Sequence, residues 1–497
     1  MHFMGSASAQ SFRVQCPATT ALHPTKPTGT NPVGGQVKCQ EIAGSDGFAT
    51  MADGHQIYLF GFGPLSGLAD IYAGLPGTQS AAVFNAGYVG PNYSTTISGG
   101  NVAGTPNNAG ITEPAGIMDL GVLSAQQPAP LMAIDEDDEF FLTLSNVGMI
   151  MRPDLFEQHT VHFHGYPNAS SFFDGVPDAS IAINIGGSFT YYYTAPDAGT
   201  YFWHCHITPP EHLQMGMVGQ LYVRPRQNRV TATASAKDSD LLAALQAANG
   251  SKTNNPGANG STCSDILCTG QTPIPAAPSA GKTYSKGMQF AYNDGDGSTA
   301  YDVEYPIQLM GFDPNFHYIG MTFNPEPFAD MKDKYFLLGG RGYPDTVNAN
   351  SNDLKSPGPL TTLDSDGTSR PSQPIPTLIV INKSGCTDST KGPCQTRALL
   401  RFSDLTVTEF HTIATVGVPM TVIANNARLL RDMAGNNLAF KTNSLTMGGG
   451  ESADVILDVS DPAYTAGQTF FLYTTNLDHL SNDAENFGGM MTEIRIL

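Results

Sequence analysis

The sequence predicts an all-β protein built from two domains. Three observations carry that reading. Gly 53 and Pro 35 are abundant, and charged residues make up only 14% of the 497. Apolar runs are short, rich in aromatic and β-branched residues, and cut by Gly, Asn, Asp and Ser, which is strand-and-turn patterning. Long amphipathic stretches are nearly absent, 238-DSDLLAALQAAN-249 being the best helix candidate. At about 150 residues per domain the length suggests roughly three units, or two large ones with insertions.

Residues 1–50 read as an N-terminal extension tied down by a Cys16/Cys39 bridge. Within it, 7-ASA-9 looks like a signal-peptidase site without the apolar and basic segments that should precede it, so a truncated leader is expected. Residues 51–225 form the first β domain. It opens with the strand 56-QIYLFGFG-63, carries a long Gly/Asn-rich insertion to about Pro114, and continues with the strand 139-EFFLTLSNV-147. The run 135-DEDDE-139 reads as a solvated turn leading into that strand. Residues 226–284 are a linker, with 250-GSKTNNPGANGST-262 its most linker-like stretch. Residues 285–497 form a second β domain, with strands at 377-TLIVI-381, 397-RALLRFSDL-405, 419-PMTVIA-424, 453-ADVILDV-459 and 469-TFFLYTT-475. No short-period repeat is visible.

Charge and cysteines narrow the setting. A net charge of −20 argues against nucleic acid and anionic membranes as partners. No apolar run approaches about 18 residues, so no membrane span is expected. Six of the seven cysteines fall as sequence-local pairs, Cys16/Cys39, Cys263/Cys268 and Cys386/Cys394. An even set in a β-rich chain favours disulfides and an oxidising compartment, so the protein is expected to be exported, to the periplasm or outside the cell. The seventh cysteine, Cys205, lies in a different context.

That context is a pair of segments, 159-HTVHFHG-165 and 203-WHCHITPPEHLQMGM-217, which hold six of the twelve histidines. Side chains alternate faces along a strand. His162 and His164 therefore share one face and His159 the other. His204 and His206 share a face and Cys205 points opposite. Pairing the two strands gathers four histidines on one side and His159 with Cys205 on the other. His212 and Met217, in the loop beyond, can fold back to join the latter pair, with Met215 the alternative methionine. Two imidazoles, a thiolate and a weak axial thioether are the ligand set of a blue-copper site, and four imidazoles suit further copper. Zinc uses His and Cys too, but a single Cys beside a downstream Met and the two-sided arrangement fit copper better. Trp203 and Tyr201 read as packing residues.

These motifs resemble those of the multicopper oxidases. HTVHFHG looks like that family's HxxHxHG motif and WHCHITPPEHLQMGM like its HCHxxxHxxxxM motif. The segments 174-DGVP-177, 186-GGSFTYYY-193 and 199-GTYFWH-204 are similar as well. The likeness is strong over about residues 115–225. It is weak beyond, where 409-EFHTIATVGVPMTVIA-424 resembles a cupredoxin domain. The resemblance implies two cupredoxin-like Greek-key β-sandwich domains with an N-terminal extension and long loops. It implies that His159, Cys205, His212 and Met217 are type 1 copper ligands. It also implies that His162, His164, His204 and His206 are half of a type 2/type 3 cluster and hence the catalytic histidines.

Two departures matter. Five residues, Ile207 to Glu211, separate His206 from His212 where the family has three, and they include Pro209 and Pro210. The family's cluster also draws His-x-His units from two domains, whereas the second domain here offers only His317, His411 and His479, none in such a pair. Three functions stay open. One is a copper oxidase passing electrons through the His-Cys-His motif to dioxygen. One is a two-domain enzyme resembling nitrite reductases, completed by His479 of a neighbouring subunit in a homo-oligomer, a trimer by analogy. One is a blue-copper electron-transfer or copper-binding surface protein without turnover. The donor is a small molecule, a metal ion or a redox protein.

Overall fold

The computed structural model describes residues 12–26, 35–90, 106–166, 170–229, 239–240, 283–284, 287–320, 327–347, 372–375 and 377–497. They form two Greek-key β-sandwiches. In the first, one sheet runs Gln56–Pro64, Val37–Thr50, Glu139–Gly148, Ser188–Thr194. The facing sheet runs Met132–Asp135, Val218–Arg224, Gly199–His204, His162–Phe163. Each sheet contains one parallel pair, Val37–Thr50 with Glu139–Gly148 and Met132–Asp135 with Val218–Arg224, amid antiparallel neighbours. Parallel neighbours cannot be joined by a tight turn, so the chain must cross between the sheets.

Period-two alternation places the core. In Ser188–Thr194, Tyr191 and Tyr193 are buried while Thr190 and Tyr192 stay partly exposed. They meet Ile42, Phe62 and Leu144 of their own sheet and Trp203 and Leu221 of the other. The described parts of the insertion after Pro64 pack against the first sheet. Leu65, Leu68, Ile111 and Ile117 pack with Ala43 and Val147 in a second apolar cluster.

The second sandwich repeats the plan. Its larger sheet runs Tyr335–Leu338, Val303–Phe312, Arg397–Asp404, Ser452–Asp458, Met420–Asn425. Its other sheet runs Ile379–Ile381, Met491–Ile496, Thr469–Thr474, His411–Val416, Ser444–Met447. A buried polar seam joins the two sandwiches. Thr200 donates its hydroxyl to Asp454 at 2.6 Å, Ser452 donates to the Thr200 carbonyl at 2.6 Å, and Gln220 donates to the Arg401 carbonyl at 2.9 Å.

Two expectations need correction, and a third falls mostly outside the described residues. The stretch assigned to an extension over residues 1–50 ends in the inner strand Val37–Thr50, hydrogen-bonded on both edges. Its apolar residues are interleaved with Gly, Ser and Asp, which hid the strand. The run 135-DEDDE-139 is no solvated turn. Glu136, Asp138 and Glu139 are buried, and Asp137 pairs with Arg226 at 2.7 Å and Arg229 at 2.9 Å. Burial raises the Glu136 carboxyl to about 7, partly offset by Arg226. Of the helix candidate over 238–249, the described part, Ser239–Asp240, is a two-residue strand, and the rest lies outside the described residues. Cys16–Cys39 and Cys386–Cys394 are bonded and Cys205 is a buried free thiol, while Cys263 and Cys268 lie outside the described residues.

Candidate metal centre

The short strand His162–Phe163 pairs with Gly199–His204, setting His162 opposite His204. The two motifs therefore lie side by side at one end of the second sheet, and strand parity sorts their side chains as predicted.

On the inner side, one ring nitrogen each of His159 and His212 and the Cys205 sulfur lie within 4.8 Å of one another, all buried. His212 Nδ1 is 3.3 Å from Cys205 Sγ, and the two imidazole centroids are 5.4 Å apart. Burial alone would push the Cys205 thiol up. The His212 charge and hydrogen bonds from His159 and His212 outweigh it and hold the thiol well below its ordinary range. Burial depresses His212 in turn, but the thiolate and Glu157 carry it up to about 10. His159, mainly desolvated, is held below its ordinary value, and its ring is set against the Cys205 sulfur. Buried polar atoms short of good hydrogen bonds are costly, so a dry imidazole pair closing on a thiolate fits a soft metal.

Backbone geometry delivers the remaining donors. The five residues between His206 and His212 do not distort the site. Most of them become a helical turn, Pro209–Met215, whose two prolines occupy its first positions, where no N–H is needed. Gly216 ends the helix at φ +119°, a region that favours glycine. The Met217 N–H then donates to the His212 carbonyl at 2.8 Å, and Cys205 N–H donates to the Met217 carbonyl at 3.1 Å. This stitching binds Met217, rather than Met215 within the helix, to the backbone of Cys205 and His212. Both methionines are buried.

On the outer side, His162 is ringed by His164, His204 and His206 with centroids 5.8, 5.3 and 5.1 Å away. Three of the rings are oriented by backbone carbonyls. Nδ1–H donates from His162 to Asp174 at 2.7 Å, from His204 to Cys205 at 2.8 Å and from His164 to Gly450 at 3.3 Å. Each is thereby left with its Nε2 lone pair free, the pattern of metal-ligating histidines. Burial lowers His204 to about 3, so it is neutral at pH 7. The group opens into a cleft of about 410 Å³ whose far wall is the second domain's Thr406–Phe410 and Gly449–Gly450. The cover thus comes from the same chain.

His411 and His479 do not line this cleft. They lie against each other within the second sandwich, and the residue that reaches the cleft from there is Glu409. His317 is a core histidine whose ring nitrogens meet the carbonyls of Tyr58 and Gln214. Sequence reasoning missed three supporting residues. Glu157 sits 3.5 Å from His212 Nε2. Asp174 fixes His162. Gly44, on the strand read as extension, faces His159 so closely that a Cβ there would meet the ring at 2.7 Å. Glu157, two residues before His159, and Asp174, in the segment 174-DGVP-177, carried local signals; Gly44 carried none.

Fold and donor sets together define a cupredoxin domain. Residues 115–228 match a family model described as multicopper oxidase. The chain is 33% identical over 133 residues to the multicopper oxidase MCE of Talaromyces pinophilus, covering 26% of this chain and 21% of that protein. It is 31% identical over 129 residues to laccase abr2 of Aspergillus fumigatus, covering 25% and 20%. Among solved structures, the blue copper oxidase of Nitrosomonas europaea aligns at 16% identity and TM-score 0.49, over 93% of this chain and 86% of that one. The matched stretch spans about a fifth of each of these two curated relatives. The likeness to multicopper oxidases is thus carried by residues 115–228. Among the described residues no helix is long and apolar enough to cross a membrane.

Proposed function

We propose that the protein is an exported copper-dependent oxidoreductase. It takes electrons singly from a small-molecule, metal-ion or redox-protein donor and delivers them to dioxygen. One observation carries the reading: Cys205, the thiolate of the inner donor set, is bonded in sequence to His204 and His206 of the outer set. His159, Cys205, His212 and Met217 would hold a type 1 copper, and His162, His164, His204 and His206 further copper. Bound copper would supply the one-electron couple that these side chains lack. The chain's own residues prepare the site. The imidazoles keep Cys205 ionised, Glu157 orients His212, three carbonyls aim the outer imidazoles, and the second domain narrows access to the cleft.

A second reading is an electron carrier without turnover. It draws on the cleft, which no second-domain histidine lines among the described residues. The nitrite-reductase-like reading, with its trimer, finds less support, since His479 is engaged inside its own domain. Copper counting with oxygen uptake separates these. Three or more coppers per chain in the first domain's two donor sets with uptake support the oxidase; one copper(II) centre without uptake supports the carrier. In either case the copper(II) protein is expected to absorb strongly in the visible, and Cys205→Ser to abolish the band. A copper-replete, oxidised protein lacking that band would sink the proposal.

A further inference from the structure

The second sandwich contains a copy of the inner donor set, in the same hydrogen-bond register. In the first domain Cys205 N–H donates to Met217 O at 3.1 Å and Met217 N–H to His212 O at 2.8 Å. In the second, Thr474 N–H donates to Met490 O at 3.0 Å and Met490 N–H to His479 O at 2.9 Å. His162 pairs with His204, and Ala414 pairs with Tyr473. Counting back three residues from each gives His159 and His411. Cys205, His212, Met217 and His159 therefore correspond to Thr474, His479, Met490 and His411.

The imidazoles and the carboxylates beside them keep that correspondence. The imidazoles of His159 and His212 have centroids 5.4 Å apart at 57°, and those of His411 and His479 are 5.2 Å apart at 68°. Glu157 lies 3.5 Å from His212 Nε2, and Glu409 lies 3.0 Å from His479 Nε2. In sequence, 157-EQHTVHFHG-165 stands over 409-EFHTIATVG-417. The outer four histidines are gone, replaced by Ala414, Val416, Tyr473 and Thr475, and so is the thiolate. The two inner histidines and the methionine remain. His411, Met490 and Thr474 are fully buried and His479 nearly so.

These retained imidazoles are short of partners. Both ring nitrogens of His411 and Nδ1 of His479 are buried without a hydrogen bond. Nothing in apolar packing calls for two imidazoles there, and buried polar atoms are ordinarily paired. With Glu409 and the Asn476 amide on His479 Nε2, the Nδ1 atom is left for a ligand.

We propose that His411, His479 and Met490 form a second, thiolate-free metal site that takes copper(I). The donors are two neutral imidazoles and a soft thioether, with a hydroxyl at Thr474 in place of the thiolate. Thioether donors select copper(I) over harder divalent ions. Phe336 stacks on His479 at 3.7 Å and lies 6.0 Å from the His411 ring, so one side of the donor pair is apolar, while Glu409 sits on His479 Nε2, away from its free Nδ1. Such a site has no thiolate band and is invisible beside the first.

The test is anaerobic titration of the full chain with copper(I) against a chromophoric chelator, for the wild type, His411→Gln and Met490→Leu. The wild type is expected to hold one more copper(I) than His411→Gln, and more tightly than Met490→Leu by at least about 10-fold. The visible band of the first domain should be unchanged in both, so failure here and failure of the functional reading are read separately. A Cys205→Ser, Thr474→Cys double variant adds an independent readout. With copper(II) it should absorb in the visible where Cys205→Ser alone does not. Equal copper(I) counts in folded wild type and His411→Gln, or a double variant as colourless as Cys205→Ser, would overturn the assignment.

Discussion

His212 shows how one residue's environment sets the centre. Its Nδ1 faces Cys205 and its Nε2 faces Glu157, so the ring cannot turn without losing one of them. Glu157 is held below its usual range chiefly by the His212 hydrogen bond. Removing such an orienting carboxylate typically costs about 10–100-fold in metal affinity. Glu157→Ala is therefore expected to weaken copper binding by about that factor, read by chelator competition, with the visible band retained at saturation. Unchanged affinity would show that packing alone holds the ring. Met217 is a separate case. Met217→Gln should leave copper bound and shift its reduction potential, since the axial donor tunes such sites. Met215→Leu should leave the potential alone. If the two outcomes exchange, the axial donor is Met215.

At the scale of elements, the sequence made the donor groupings legible where histidines crowd a short period-two pattern. Strand parity alone separated His159 and Cys205 from His162, His164, His204 and His206. It could not reveal what comes from a distant strand. Val37–Thr50 is built of small and polar residues because the insertion packs on one of its faces and the copper-side core on the other. Its pattern thus lacks the alternation that marks a half-exposed strand. The correspondence between domains was hidden for a related reason. Four residues separate His212 from Met217, but ten separate His479 from Met490, so the shared register emerges only from hydrogen bonds. Gly44 follows from that geometry. A Cβ there would meet His159 at 2.7 Å, and the ring is fully buried with no room to retreat. Gly44→Val should displace His159, weakening or shifting the visible band while far-ultraviolet circular dichroism stays β-rich. An unaltered band in the folded variant would show that the strand yields instead.

Across the whole molecule, the two sandwiches are held in register by charge buried between them. Arg224 of the first domain reaches Glu304 of the second at 2.6 Å, and Arg401 reaches the same carboxylate at 2.9 Å. Arg401 lies 4.7 Å over the Tyr222 ring and has no exposed surface. This seam keeps the second domain's loops against the four-histidine cleft, so its loss should open the cleft as well as weaken the fold. Burial pushes the Glu304 carboxyl up, but Arg224 and Arg401 outweigh it and hold it at about 2. The sign follows. The carboxyl is more acidic folded than unfolded, so its stabilisation is present above about 4.5 and lost as pH falls toward 2. A shift of that size corresponds to roughly 3 kcal/mol. Other carboxyls run the opposite way. Burial raises Asp404 to about 7, which costs stability as pH rises toward neutrality. Subtracting a Glu304→Gln variant from the wild type cancels those shared contributions. At pH 7 the variant leaves the fully buried Arg401 and the partly exposed Arg224 short of a carboxylate, Arg401 keeping Asp454, and should lose about 3 kcal/mol. The wild-type advantage should then shrink between pH 4.5 and pH 2. Denaturant unfolding of both proteins across that range measures it. A difference independent of pH would place the seam's stability in packing on Tyr222 rather than in charge.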